Sequence, residues 1–290
     1  MALVPYDDRD GFIWWNGEMR PWRDAKLHVL SHGLHYASAV FEGERCYGGK
    51  VFKLREHTDR LINSAKILGF DIGYTAEQID AATNATLAAN GLKDAYVRPI
   101  AWRGSGEMGV AARQAGVNLA IAVWEWGAYF GVEQRMKGIN LVWAKWRRPH
   151  PETAPTASKA AGLYMIGTMS KHAAADEGAD DAMMLDHKGD VAEATGANAF
   201  FVFDGELHTP TPTCFLDGIT RRTVMDLARK RQMKVVERVI KPEELKQATE
   251  SFVAGTAAEV TPVRRIGDLE FTPGQITETL MRDYEAVTRG

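Results

Sequence analysis

The chain has 290 residues, 45% of them apolar and 25% charged, a composition that excludes disordered and collagen-like chains and a length that allows two domains. With 35 basic against 38 acidic residues and a formal net charge of -3, no broad cationic field is available for nucleic acid or an anionic membrane, so a small-molecule partner is expected. Cys46 and Cys214 stand far apart, which suggests neither a disulfide framework nor a cysteine metal site, and no metal is expected. The first ten residues carry acidic side chains where a secretory signal needs a basic and then an apolar stretch, and no apolar run is long enough to span a bilayer, so a cytoplasmic protein is expected.

Phe12-Ile-Trp-Trp15 followed by Asn16-Gly17 predicts a strand entering a hairpin. Leu61, Ala65 and Leu68 recur at helical spacing over residues 55–68, with Gly69 as the stop, which makes an amphipathic helix carrying Arg60. A second helix is expected over 77–90, then β-prone runs at Ala95–Trp102 and Val117–Trp124. Gly127, Gly131 and Gly138 mark an interdomain connection, giving a division into 1–125, a loop at 126–138, and 139–290. Beyond it, Ala182–Asp186, Val191–Ala194 and Asn198–Phe203 read as short strands parted by turns at Lys188-Gly189 and Asp204-Gly205. Helices are expected over 220–231, with Thr220 placed to cap the start, and over 275–287. The fold class is α+β.

Pro155-Thr-Ala-Ser-Lys159-Ala-Ala-Gly-Leu-Tyr164 embeds a lone lysine among small residues that let a planar cofactor approach its amine. Such an amine can form a Schiff base with an aldehyde cofactor, although alone the stretch reads more readily as an ordinary solvated lysine. Asp190-Val-Ala-Glu193-Ala-Thr-Gly-Ala-Asn198 sets Glu193 in a small, apolar strand-turn-strand segment. An acid beside a pyridine nitrogen is what pyridoxal 5′-phosphate (PLP) chemistry requires, and a solvent-facing strand residue is the plainer alternative. Leu216-Asp-Gly-Ile219-Thr220-Arg221 at a helix start, and Gly255-Thr256-Ala257-Ala-Glu259, could each present backbone N–H groups to an anion, or be an ordinary cap and turn.

Taken together, these blocks resemble the branched-chain amino acid aminotransferases of PLP fold type IV, the class IV aminotransferases. The resemblance runs nearly end to end, through Trp15-Asn-Gly-Glu-Met, Leu34-His-Tyr36, Val40-Phe41-Glu-Gly43, Arg55-Glu-His-Thr-Asp-Arg60, Tyr96-Val-Arg98-Pro, Met108-Gly-Val110 and Trp126-Gly-Ala-Tyr129 to Gly255-Thr-Ala-Ala-Glu-Val-Thr-Pro-Val.

The resemblance implies a smaller N-terminal α/β domain and a larger C-terminal β-rich pseudo-barrel with PLP at their interface. It implies transfer of the amino group of L-leucine, L-isoleucine or L-valine to 2-oxoglutarate by a ping-pong route. A D-amino acid or (R)-amine aminotransferase, or an aminodeoxychorismate lyase, is the alternative on the same scaffold. In that family pattern Lys159 is the catalytic residue and covalent anchor of PLP, Glu193 meets the pyridine nitrogen, and Tyr164 bonds the ring oxygen. Arg60, the backbone of Ile219 and Thr220, and Thr256 hold the phosphate. The substrate carboxylate lies near Tyr96, Arg98, Thr256 and Ala257, and Tyr36, Phe41, Gly43, Met108, Val110, Trp126 and Tyr129 line the side-chain pocket. Family members build part of that pocket from a neighbouring subunit, which implies at least a homodimer. Arg45 and Arg98 are candidate counter-charges for a substrate's second carboxylate. The chain departs from the family pattern at Glu44, at Asp217 and at Ala197, in a loop without a second acid.

Overall fold

The computed structural model describes residues 4–125, 135 and 137–290. By its contacts the chain forms two compact units: Met1–Gly127 with Ser158–Gly162, and Ala128–Ala157 with Leu163–Gly290.

The first unit is built on a sheet of seven strands among the described residues: β1 (Phe12–Trp15), β2 (Glu18–Pro21), β3 (Ala39–Phe41), β4 (Glu44–Tyr47), β5 (Lys50–Val51), β6 (Ala95–Arg103) and β7 (Val117–Trp124). Their order is β2-β1-β7-β6-β4-β5, with β3 also pairing β6. The first hairpin turns at Asn16 and Gly17, both at positive φ, and pairs Trp15 with Glu18. The helices Leu54–Ile67 and Ala76–Ala89 follow the apolar periodicity of their sequences, and the second starts on a capping box between Thr75 and Gln78.

Alternation along β6 and β7 divides the sheet's two faces. Ala95, Val97, Ala101, Leu119, Ile121 and Val123 join Leu61, Ala65, Ile79 and Leu87 of the helices in one buried core. The residues between them, among them Tyr96, Arg98, Ile100 and Trp102, therefore belong to the other face, where Trp102 packs with Trp15, Ala39 and Ala120. That face bounds a cavity of 360 Å³ lined by Trp15, Leu27, Leu34, Ile100, Trp102 and one charged side chain, Arg98.

The second unit contains β8 (Ile139–Trp143), β9 (Asp181–Leu185), β10 (Val191–Ala194), β11 (Asn198–Phe203), β12 (Glu206–Pro210), β13 (Val235–Arg238), β14 (Glu250–Gly255), β15 (Glu259–Ile266) and β16 (Leu269–Glu270). Successive pairing runs β10-β9-β8-β15-β14-β11, and β11 pairs back to β10, so these strands close a barrel. Ala199, Phe201 and Phe203 alternate along β11 into a core shared with Leu141, Met183, Val253 and Val263. The helices Ile219–Lys230 and Gln275–Arg289 pack on each other and against β14 or β15.

Two expectations need revision. The helix near 220 begins at Ile219 with Gly218 as its N-cap, so Thr220 lies inside the first turn and does not cap it. Gly218 takes that place because a Cβ there would overlap the Asn198 side-chain oxygen. The segment carrying Lys159, which the sequence division assigns to 139–290, groups with the first unit. The cause is a bridge between Val40 and Ala160, with the Phe41 N–H donating to the Lys159 carbonyl at 3.2 Å. Most of the expected connection at 126–138 lies outside the described residues.

Candidate active site

In the first unit the helix Leu54–Ile67 places His57, Arg60 and Ser64 three and four residues apart, so they share one face. Ser64 fixes the lysine segment. Its Oγ accepts from the Lys159 N–H at 3.0 Å, and its carbonyl accepts from the Ser158 hydroxyl, also at 3.0 Å. The Lys159 ammonium nitrogen lies 5.1 Å from the Phe41 ring centroid, over the π face.

Glu42, fully buried, follows Phe41 and anchors Arg60. Arg60 Nε donates to one carboxylate oxygen at 2.7 Å and Nη2 to the other at 2.9 Å, and His57 Nδ1 donates to the second oxygen at 2.7 Å. Burial alone would raise the Glu42 pKa, but the Arg60 charge and hydrogen bond, then His57, hold it well below the usual carboxylate range. Burial pushes His57 down, against the pull of Glu42. Glu44 is buried as well, and burial with the nearby Glu42 and Asp80 raises its pKa well above the ordinary value.

Gly43 gives Tyr96 its room. A Cβ on Gly43 would overlap the tyrosine hydroxyl and stand 3.0 Å from Cζ. That hydroxyl accepts from Arg98 Nη2 at 3.1 Å, and the Arg98 guanidinium lies 4.7 Å from the Phe41 centroid. Phe41, Gly43, Tyr96, Arg98 and Lys159 thus form one group.

Tyr36, Met108 and Val110 lie elsewhere on the unit and are exposed, Val110 by 87%. His32 joins them, its ring stacking on Tyr36 at 4.5 Å and its Nε2 donating to the Gly109 carbonyl at 2.8 Å. Trp126 and Tyr129 lie outside the described residues.

In the second unit Glu193 is 8% exposed on β10, too deep for a solvent-facing residue. Arg148 Nε is 3.0 Å from one of its oxygens, and Asn198 Nδ2 donates to the other at 3.0 Å. Asn198 also donates to the Leu216 carbonyl at 3.0 Å, which ties Glu193 to the loop entering the helix at Ile219. At that helix start the first N–H groups lack intrahelical acceptors, and their dipole favours an anion. Arg221 does not extend this anion site. It is 1% exposed, bonded to Asp217 at 2.9 Å, to the Pro210 carbonyl at 3.1 Å and to Glu237. Asp217, one of the departures from the family pattern, is therefore the partner of Arg221 and also of Arg222. Thr256 and Ala257 form the turn after β14, where Gly255 lies so close to Ala197 that a Cβ would approach its methyl to 3.2 Å. Tyr164 ends a short 3-10 helix, Ala161–Tyr164.

Glu42, His57, Ser64, Arg148 and Asn198 support these groups and were not singled out in the sequence. A carboxylate between Phe41 and Gly43 was the available signal for Glu42. None marks Arg148, whose partner is distant along the chain.

The profile of the amino-transferase class IV family matches residues 39–266, and the chain belongs to that family. It is 42% identical over 290 residues to a branched-chain-amino-acid aminotransferase of Pseudomonas aeruginosa, covering 98% of this chain and 94% of the relative. The crystal structure of the Escherichia coli branched-chain amino acid aminotransferase superposes with a TM-score of 0.94 at 38% identity, covering 97% and 96% of the two chains. The T.th. branched-chain amino acid aminotransferase complexed with N-(5′-phosphopyridoxyl)-L-glutamate gives a TM-score of 0.91 at 36% identity, covering 97% and 95%.

Proposed function

We propose that the protein is a branched-chain amino acid aminotransferase that uses PLP to move the amino group of L-leucine, L-isoleucine or L-valine to 2-oxoglutarate. The observation that carries this reading is likeness, across nearly the whole chain, to enzymes of that name. A relative solved with a phosphopyridoxyl-L-glutamate adduct supports both the cofactor and the acidic partner.

The residues present fit PLP. The buried Glu193 suits its pyridine nitrogen, Arg60 and the N–H groups of Ile219 and Thr220 suit a phosphate dianion, and small residues flank Lys159. Thr256 adds a phosphate donor and Tyr164 a hydroxyl for the ring oxygen. When bound, PLP supplies an electron sink for the charge left as a substrate loses its α-proton. Lys159 would anchor it covalently, and its amine, when free, would carry the proton at Nζ. Arg148 and Asn198 orient the Glu193 carboxylate. Tyr96, with Thr256 and Ala257, receives the substrate carboxylate, and Arg98 holds the Tyr96 hydroxyl in place. Phe41 and Gly43 border the substrate side chain. Arg98, the one charged group on a mostly apolar cavity wall, would let a pocket take either an aliphatic chain or a second carboxylate.

The exposed cluster of Tyr36, Met108 and Val110, braced by His32, completes a neighbouring subunit's pocket, which makes a homodimer the minimal active form. Among the described residues no helix is long and apolar enough to cross a membrane. With both cysteines free, we place the enzyme in the reducing cytoplasm.

The test is a half-reaction. PLP-loaded protein mixed with L-leucine should lose the absorbance of its lysine-bound cofactor rapidly, and D-alanine should leave it unchanged. Conversion by D-alanine alone would overturn the substrate assignment.

A further inference from the structure

Three ligand-type side chains converge in the second unit, apart from the groups assigned above. Asp186 and His187 occupy the turn between β9 and β10, and Cys214 comes from the loop between β12 and the helix Ile219–Lys230. One donor atom from each, a carboxylate oxygen, a ring nitrogen and the sulfur, all lie within 4.8 Å of one another. Asp186 and Cys214 are 8% and 1% exposed. His187 is half-buried, yet both its ring nitrogens are shielded from solvent and have no hydrogen-bond partner among the described residues. A buried imidazole ordinarily has at least one nitrogen satisfied. Here a lone pair is held beside a carboxylate and a thiol.

We propose that Asp186, His187 and Cys214 bind a divalent transition-metal ion of the zinc type.

Sulfur, imidazole nitrogen and carboxylate oxygen are the ligands of a borderline-soft ion, whereas calcium and magnesium take all-oxygen sets of six or more. Zinc at about 2.0–2.3 Å from each ligand would set the donor atoms roughly 3.3–3.8 Å apart. The cluster therefore needs to contract by only about 1 Å, which side-chain rotation supplies. The Asp186 carboxylate is already oriented, because one oxygen accepts from the Lys188 N–H at 2.8 Å and the Asp190 N–H at 2.9 Å. Such outer bonds hold a ligand in place for its metal. The His150 ring stands edge-on to His187 with centroids 4.4 Å apart, and water would take the ion's fourth position. Cysteine spacing conceals this cluster, since its members come from two separate segments. The ion would tie the turn leading to Glu193 to the loop that leads into the helix at Ile219.

The experiment uses tag-free holoenzyme, stripped by a chelator and titrated with Zn²⁺ against a chelating indicator. One tight equivalent is expected, and both Cys214→Ala and His187→Gln should weaken it by more than the roughly 10–100-fold that loss of an outer partner alone costs. Cys46 remains in the Cys214→Ala chain, so uptake through the other thiol would persist there and be recognised. Equal zinc content in wild type and both variants, or none in wild type at micromolar free zinc, would overturn the proposal. Should either variant fail to fold, Co²⁺ on the wild-type chain decides: intense visible bands of a four-coordinate, sulfur-ligated ion support the site, and only the pale bands of a hydrated ion refute it.

Discussion

Arg60 and Glu42 meet side-on through two parallel hydrogen bonds, 2.7 and 2.9 Å long, on a carboxylate that is fully buried. The guanidinium is thereby fixed before any ligand arrives, and its side chain keeps 17% exposure. Removing one partner of a buried pair leaves the other uncompensated and costs about 3–5 kcal/mol. Glu42→Gln should therefore lower the denaturant midpoint and weaken PLP retention, read by urea unfolding and by cofactor titration. The sign with pH follows from the lowered pKa. The Glu42 contribution is whole above its unfolded value of about 4.3 and is lost as pH falls through the folded one, so the variant should show a shallower acid limb.

Glu44 acts in the opposite sense. Its raised pKa means that the folded chain keeps a proton which the unfolded chain releases above about pH 4.3. Stability is lost as pH climbs from there toward the folded value. Glu44→Gln should raise the melting temperature at pH 8, with the gain vanishing near pH 4. A gain independent of pH would show that the carboxyl is not the source.

Arg148 and Asn198 set the direction in which Glu193 points. Misplacing such a group by about 1 Å costs about 100-fold in rate. Arg148→Gln should lower kcat by that order with little change in KM for L-leucine, and the absorbance of the bound cofactor should shift. An altered KM with unchanged kcat would assign Arg148 to substrate binding instead.

Gly43→Ala would push a methyl into the Tyr96 hydroxyl and break its bond from Arg98. KM for L-leucine and for 2-oxoglutarate should both rise, by roughly tenfold for about 1.4 kcal/mol of lost carboxylate binding. Steady-state kinetics with the two substrates varied in turn checks this, and an unchanged KM for both would remove Tyr96 from the carboxylate site.

The strands and helices legible in the sequence are those whose apolar periodicity is strong, as in Leu61 with Ala65 or in alternation along β6 and β7, whereas strands such as β8, β14 and β15 carry no such local signal. Lys159 and Glu193 stand out as charges among small residues. What stays hidden is long-range. Ser64 is an unremarkable helix position until a segment 95 residues away closes on it, and Arg148 has no local feature that names Glu193 as its neighbour. Residue type alone makes Thr220 a cap, whereas the approach of Asn198 requires glycine at that place. The division of units departs from chain order for the same reason, since Lys159 obeys its contacts with Ser64 and Phe41.

The bonds from Ser158 and Lys159 back to Ser64 span 94 and 95 residues and fill out the first unit's fold. During synthesis, which proceeds at about 5–20 residues per second, an emerging N-terminal half can assemble its sheet and helices but must wait for a later stretch of chain before it is complete. Loop closure over that separation is slow relative to local pairing. Lys159 thus reaches its place last, and a nascent chain stalled before it would hold a nearly finished unit that lacks the amine proposed to carry the chemistry.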